Sequence, residues 1–201
     1  MRGEKLHSYL LRRPQSLYAD AIRSLLLNVQ LSQGDRKARV ILVTSAIPGE
    51  GKTTLAMSLG AQAASLGERT VVVDFDLRHP NIARELGRPV EVGLAEYFSA
   101  QALLDDIICV DPNEARLHVI PLRAPVQNAS RAMQPLDLEA FIGELRSRYD
   151  TVILDLPPSL AISDIRAVGP LADVALFVVR WGKTTGSAAR NGLESLGRVL
   201  N

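Results

Sequence analysis

Several features are scarce in this 201-residue chain, and each shortage closes a class of function. Cys109 is the single cysteine, so no disulfide can form within the chain. His7, His79 and His118 are scattered and have no cysteine partners, which removes the usual zinc ligand spacings. No apolar run approaches the ~20 residues that cross a bilayer. The opening Met1-Arg-Gly-Glu-Lys-Leu-His-Ser8 is polar and does not read as a signal peptide. The expectation is a reducing, cytoplasmic setting. A formal net charge of +1 gives no reason to expect nucleic acid as a partner. No G-x-S-x-G elbow is present. The H-R-D and D-F-G signatures of eukaryotic-type kinases are missing as well, since Asp74-Phe75-Asp76 ends in Asp where Gly is required. Lysine is rare, confined to Lys5, Lys37, Lys52 and Lys183, so a lysine inside a glycine-bearing loop carries information.

That loop is Ala46-Ile-Pro-Gly-Glu-Gly-Lys-Thr-Thr54. Before it, Arg39 to Thr44 is a β-branched and aliphatic run that reads as a buried strand. From Thr53 the spacing of Leu55, Ala56, Leu59 and Ala63 is helical. Strand, glycine-bearing loop, lysine, hydroxyl and helix form the P-loop order. Small residues let successive N–H groups turn toward phosphate oxygens, and the helix N-terminus adds its positive dipole end. Lys52 then reaches the phosphates and the Thr53 hydroxyl is a ligand for Mg²⁺. The first glycine of the pattern is replaced by Ala46. A dinucleotide-binding reading, with Asp74 on a ribose, fails at Thr54 and leaves Lys52 without a role.

The 47% hydrophobic content supports a full core. Residues 1–17 read as an irregular linker or arm broken at Arg12-Arg13-Pro14, and residues 18–201 as one P-loop nucleotide-binding domain. Ile22, Leu25, Leu26 and Val29 recur at helical spacing, and Gly34 to Lys37 ends that helix. Gly67 closes the P-loop helix, and strands follow at Thr70–Asp74, Leu117–Pro121, Thr151–Asp155 and Val174–Val179. Pro80 suits the first turn of a short helix that Gly87 closes. Short helical pieces are expected at Leu94–Phe98 and Ala102–Ile107, a loop at 122–135, and helices from Leu138 to Leu145 and over 186–200. Strands apolar on both faces and separated by helices predict an α/β fold. The expected architecture is a P-loop NTPase-type three-layer sandwich, its mostly parallel sheet covered by helices on both faces. The chain stops at Asn201 after a helix, where this architecture normally adds a strand, so a C-terminally truncated piece is expected.

Lys52 and Thr53 follow the first predicted strand, Asp74 and Asp76 the second, and Asp155 the fourth, all on the edge where open α/β sheets bind ligands. Carboxylates there can hold Mg²⁺ and its waters. One near a γ-phosphate can accept a proton from an attacking hydroxyl. Each aspartate also has a plainer reading, as the cap of the helix or turn that follows its strand.

With these motifs in place, the chain resembles the bacterial tyrosine kinases, cytoplasmic domains of polysaccharide co-polymerases. Ser45-Ala-Ile-Pro-Gly-Glu-Gly-Lys-Thr-Thr54 matches Walker A, Val71-Val-Val-Asp-Phe-Asp-Leu-Arg78 Walker A′, and Val152-Ile-Leu-Asp-Leu-Pro157 Walker B. Phe177-Val-Val-Arg-Trp-Gly-Lys-Thr-Thr185 resembles the segment beside the nucleotide base. The resemblance implies tyrosine (auto)phosphorylation from ATP and Mg²⁺, coupled to capsular or exopolysaccharide export. It assigns Pro48, Gly49, Glu50, Gly51, Lys52, Thr53, Thr54 and Arg180 to the nucleotide, and Thr53 and Asp155 to the metal. Lys52, Asp74, Asp76 and Asp155 are the catalytic candidates, with Asp74 or Asp76 assisting the incoming tyrosine. Implied partners are a membrane-embedded co-polymerase segment or a separate transmembrane activator, and a tyrosine-rich C-terminal tail as substrate. The implied location is the inner face of the bacterial plasma membrane. The last tyrosine here is Tyr149, and the family's E-x-x-R-x-x-R motif is reduced to Asp20, Arg23 and Leu26. Weak self-phosphorylation and a mainly monomeric chain are therefore expected, against a homo-oligomer in the full-length protein. The partition and division-site ATPases share the loop but carry a signature lysine where this chain has Ile47. A non-catalytic, ATP-gated assembly module is the remaining alternative.

Overall fold

The computed structural model describes residues 4–33, 39–126, 135–159 and 168–200. Its centre is a six-stranded sheet. The strands are β1 (Arg39–Ser45), β2 (Thr70–Asp74), β3 (Cys109–Asp111), β4 (Glu114–Ile120), β5 (Thr151–Asp155) and β6 (Val174–Val178). Their order is β3-β4-β2-β5-β1-β6, parallel throughout except for the β3–β4 pair. Side chains alternate across a strand, so Val40 and Leu42 enter one core while Ile41 and Val43 enter the other. That double burial is why β1, β2 and β5 carry an unbroken apolar run between their polar ends.

One face is covered by α1 (Leu6–Arg12), α2 (Leu17–Gln33), α3 (Lys52–Ser65) and α4 (Ile82–Leu86). The other carries α5 (Leu94–Phe98), α6 (Leu104–Ile107), α7 (Pro135–Arg148) and, through Leu196, α8 (Gly186–Leu200). The three-layer α/β architecture is therefore as expected. Ile22, Leu26 and Val29 are buried, so Leu26 belongs to the core stripe of α2 and not to its outer face. Asp20 and Arg23 on the exposed side pair with each other at 2.8 Å.

Four local expectations are revised. Residues 6–12 form a two-turn helix where an irregular arm was expected, and Pro14 acts only beyond its end. Its buried His7 and Leu10, and not its intrinsic propensity, hold so short a helix. His7 Nε2 lies 3.4 Å from Asp111 Oδ2, and Lys5 Nζ lies 3.3 Å from Glu85 Oε1 on α4. Strand β3 was not expected; it is three residues long and exists because the Asp111–Glu114 turn folds it back on β4, which itself starts at Glu114. The helix near Pro80 begins at Ile82, with Asn81 as its N-cap position. Helix α7 begins at Pro135, inside the span expected to be loop, with proline in the first-turn position it tolerates. The remainder of that loop over 127–134, the expected helix end at Gly34 to Lys37, and Asn201 lie outside the described residues.

Candidate functional site

The parallel ladders bring the sequence candidates to one edge. Asp74 and Asp155 are register partners on β2 and β5, and Val43 of β1 is level with Asp155, so the loop after β1 opens directly above both carboxylates. In that loop Gly49 and Gly51 have φ of +80° and +96°, a region that L side chains rarely adopt. Ala46 is fully buried with an ordinary φ, which explains why glycine is dispensable there. Lys52 starts α3, and Thr53 and Thr54 fall in its first turn beside the helix's unsatisfied N–H groups.

The Thr53 hydroxyl donates to Asp155 Oδ2 at 2.5 Å. Asp155 is fully buried and its Oδ1 has no hydrogen-bond partner among the described residues. Burial raises its pKa to about 7, only partly opposed by Thr53 and by the Lys52 charge. Asp74 is raised as well, first by burial and then by the charge of Asp155. Its oxygens accept from three backbone amides: Asp76 at 3.2 Å, and Asn81 and Ile82 at 3.0 Å each. The last two are the opening N–H groups of α4, so Asp74 caps that helix from a distance. Asp76 accepts from the His79 amide through Oδ1, and its Oδ2 lies 3.6 Å from Lys52 Nζ. Asp76 also borders a cavity of about 310 Å³ walled by Ile47, Pro48, Pro157 and Pro158 and edged by Arg78.

The remaining candidates form the other wall. Arg180 follows β6, and its guanidinium Nη1 donates to the Gly49 carbonyl at 3.2 Å. The Glu50 carboxylate does not point into the loop's concavity. It accepts from the Ile47 amide at 2.7 Å, from the Arg180 amide at 3.2 Å and from the Thr184 hydroxyl. Burial alone would raise its pKa, but these donors and the Ala46 amide carry it below the ordinary value. The sequence did not single out Thr184; its position in the run after Arg180 was the only signal. Nor could the sequence show the proline-walled cavity, which joins three loops, the two bearing its prolines about 110 residues apart.

Hard oxygen donors suit Mg²⁺, and the hydroxyl of Thr53, the carboxylate of Asp155 and its unpartnered Oδ1 fit such an ion. Among the described residues no group of three or more His, Cys, Asp or Glu side chains could hold a metal by itself.

Comparison with known proteins identifies the chain's relatives. The AAA domain family matches residues 38–199. The tyrosine-protein kinase CpsD of Streptococcus pneumoniae is 32% identical over 187 residues, covering 89% of this chain and 81% of its relative. The tyrosine-protein kinase YwqD of Bacillus subtilis is 28% identical, with 97% and 83% covered. The succinoglycan biosynthesis transport protein ExoP of Rhizobium meliloti is 30% identical across this whole chain, which spans only 27% of it. Among solved structures, the kinase domain of Escherichia coli ETK shares the fold with a TM-score of 0.89 at 24% identity, covering 99% of this chain and 78% of that one. The division protein MinD of Pyrococcus horikoshii, crystallised with Mg-ADP, shares it at 0.67 and 23%, with 81% and 67% covered. The P-loop, the paired strand-end carboxylates and these relatives lead to one assignment: the chain belongs to the AAA-domain family and, within it, to the bacterial tyrosine kinases.

Proposed function

We propose that this domain binds ATP with Mg²⁺ between the 46–54 loop and the Arg180–Thr184 turn and transfers the γ-phosphoryl group to a tyrosine hydroxyl. The observation that carries the reading is the convergence of Lys52, Thr53, Asp76 and Asp155 on one sheet edge. Lys52 and the loop amides hold phosphate oxygens. Thr53 and Asp155 hold the metal, whose charge offsets that of the phosphates. The proline-walled cavity suits an aromatic ring, and Asp76 at its rim is placed to accept the phenolic proton as the oxygen attacks phosphorus and the bond to the β-phosphate oxygen breaks. Asp74 is committed to three amides and is better suited to shaping the loop that carries Asp76.

Two of the four tyrosines are already engaged within the fold. Tyr149 is buried and bonded to His118, and Tyr18 is half-buried with its hydroxyl 2.7 Å from Ser58. A tyrosine-rich segment supplied in trans, such as a C-terminal tail, is the proposed substrate. A membrane-embedded co-polymerase segment or transmembrane activator is the proposed partner, at the inner face of the plasma membrane and in the service of polysaccharide export. Among the described residues no helix is long and apolar enough to cross a membrane. The partition-ATPase reading is less favoured, since Ile47 replaces the signature lysine and lines the cavity instead.

The test is phosphotyrosine formation on a supplied tyrosine-rich peptide with ATP and Mg²⁺, paired with calorimetric titration of a non-hydrolysable analogue. Lys52→Met should weaken binding about ten- to a hundredfold, the worth of a charge-assisted contact. Unchanged affinity would remove the phosphate assignment.

A further inference from the structure

A carboxylate inside a loop that binds polyphosphate is of the wrong sign for its ligand. Like charges a few ångströms apart in a partly desolvated site repel strongly, so such a group needs another use. Glu50 is only 7% exposed and sits between two segments that meet nowhere in sequence. One oxygen accepts from Ile47 within the loop; the other accepts from the Arg180 amide and the Thr184 hydroxyl in the turn after β6. The Arg180 guanidinium closes the circuit onto the Gly49 carbonyl. The turn is otherwise held mainly by itself, through the Lys183 and Thr184 amides on the Arg180 carbonyl. It also leaves β6, which among the described residues pairs on one side only and is partly buried along its whole length.

We propose that Glu50 is a positioning residue that clamps the Arg180–Thr184 turn to the phosphate loop, so that the nucleoside end of the nucleotide has a fixed wall only while the clamp is closed. The inference rests on the ATP reading above and adds a consequence to it. The clamp serves the adenosine half of the ligand, whereas the loop amides and Lys52 serve the phosphates. Losing the clamp therefore weakens ATP binding and leaves a bare polyphosphate nearly unaffected. A residue that merely kept the loop folded would weaken both alike.

The experiment titrates the whole chain and its Glu50→Gln and Thr184→Val variants with the non-hydrolysable ATP analogue and, separately, with inorganic tripolyphosphate, each with Mg²⁺. Trp181, the sole tryptophan, is 98% exposed within the same turn, so its fluorescence reports the turn's position directly. Each variant should lose about tenfold or more in analogue affinity while tripolyphosphate affinity moves less than about twofold, and the double variant should lose no more than either single one. In the peptide assay the KM for ATP should rise by more than kcat falls. Trp181 emission should respond to the analogue in the parent chain and to a smaller extent in the variants. Thr184→Val leaves the loop's own Glu50–Ile47 bond in place, so it tests the clamp even if Glu50→Gln disturbs folding. Equal losses for both ligands, or no loss for either, would overturn the clamp alone. A parent chain that binds tripolyphosphate and the analogue equally well overturns it too, and one that binds neither overturns the ATP reading and the clamp together.

Discussion

Replacing Asp76 and Asp74 by asparagine, one at a time, separates the chemistry of this site from its scaffolding. Asp76→Asn keeps the acceptor for the His79 amide but removes the carboxylate proposed to take the phenolic proton. Loss of a general base lowers transfer by about 10²- to 10⁴-fold, or about 3–5 kcal/mol of barrier. Asp74→Asn acts differently. Its NH₂ end cannot accept, so at least one of the three buried amides of Asp76, Asn81 and Ile82 loses its partner. An unsatisfied buried donor costs about 1–3 kcal/mol, and relief of the repulsion with Asp155 offsets part of this. For a chain of this size that is a fall of about 2–10 °C in Tm, with transfer reduced only as far as the Asp76 loop shifts. The assays are initial-rate phosphorylation of a tyrosine-rich peptide at saturating ATP and Mg²⁺, and thermal unfolding by circular dichroism. If Asp74→Asn leaves Tm and nucleotide affinity intact yet abolishes transfer, while Asp76→Asn transfers normally, the two roles are reversed and the reasoning is refuted.

Two further outcomes follow from the N-terminal helices. Burial raises the pKa of Asp111, but the His7 ring 3.4 Å away and the bonds from Asn113 carry it below the ordinary carboxylate value, so its ionised form stabilises the fold. That contribution is fully present above the unfolded value of about 3.9 and is lost as pH falls through the lower folded value. The groups facing this cluster are His7 from α1, Lys5 just before that helix and Glu85 from α4. Tm measured between about pH 6 and pH 3 should drop less steeply in Asp111→Asn than in the parent, and parallel curves would refute the assignment. On assembly, Arg23 is paired with Asp20 on its own helix and Leu26 is buried, so α2 offers a neighbouring copy little charge. The isolated chain should elute as a monomer at micromolar concentration in light scattering coupled to gel filtration, and a stable ring would contradict this.

The sequence alone determined most of what is periodic or obligatory. The doubly apolar strands Arg39–Ser45, Thr70–Asp74 and Thr151–Asp155 dictated a covered parallel sheet, because only that arrangement buries both faces. Gly49, Gly51 and Lys52 announced the phosphate loop, because few backbones other than glycine reach those angles and few functions need a lysine immediately after them. Tertiary structure gave the strand-end aspartates different surroundings. Asp74 and Asp76 stand two residues apart and read alike in sequence. Only the return of the chain at Asn81 and Ile82 places backbone amides on one of them, and only the Pro157–Pro158 loop places a cavity beside the other. Helix α1 and strand β3 were illegible for a related reason. Each is too short to carry a period, and each exists through contacts with residues distant in sequence, such as His7 with Asp111. The use of Glu50 was equally hidden, because its partners Arg180 and Thr184 lie some 130 residues away and reach it only when β6 aligns beside β1.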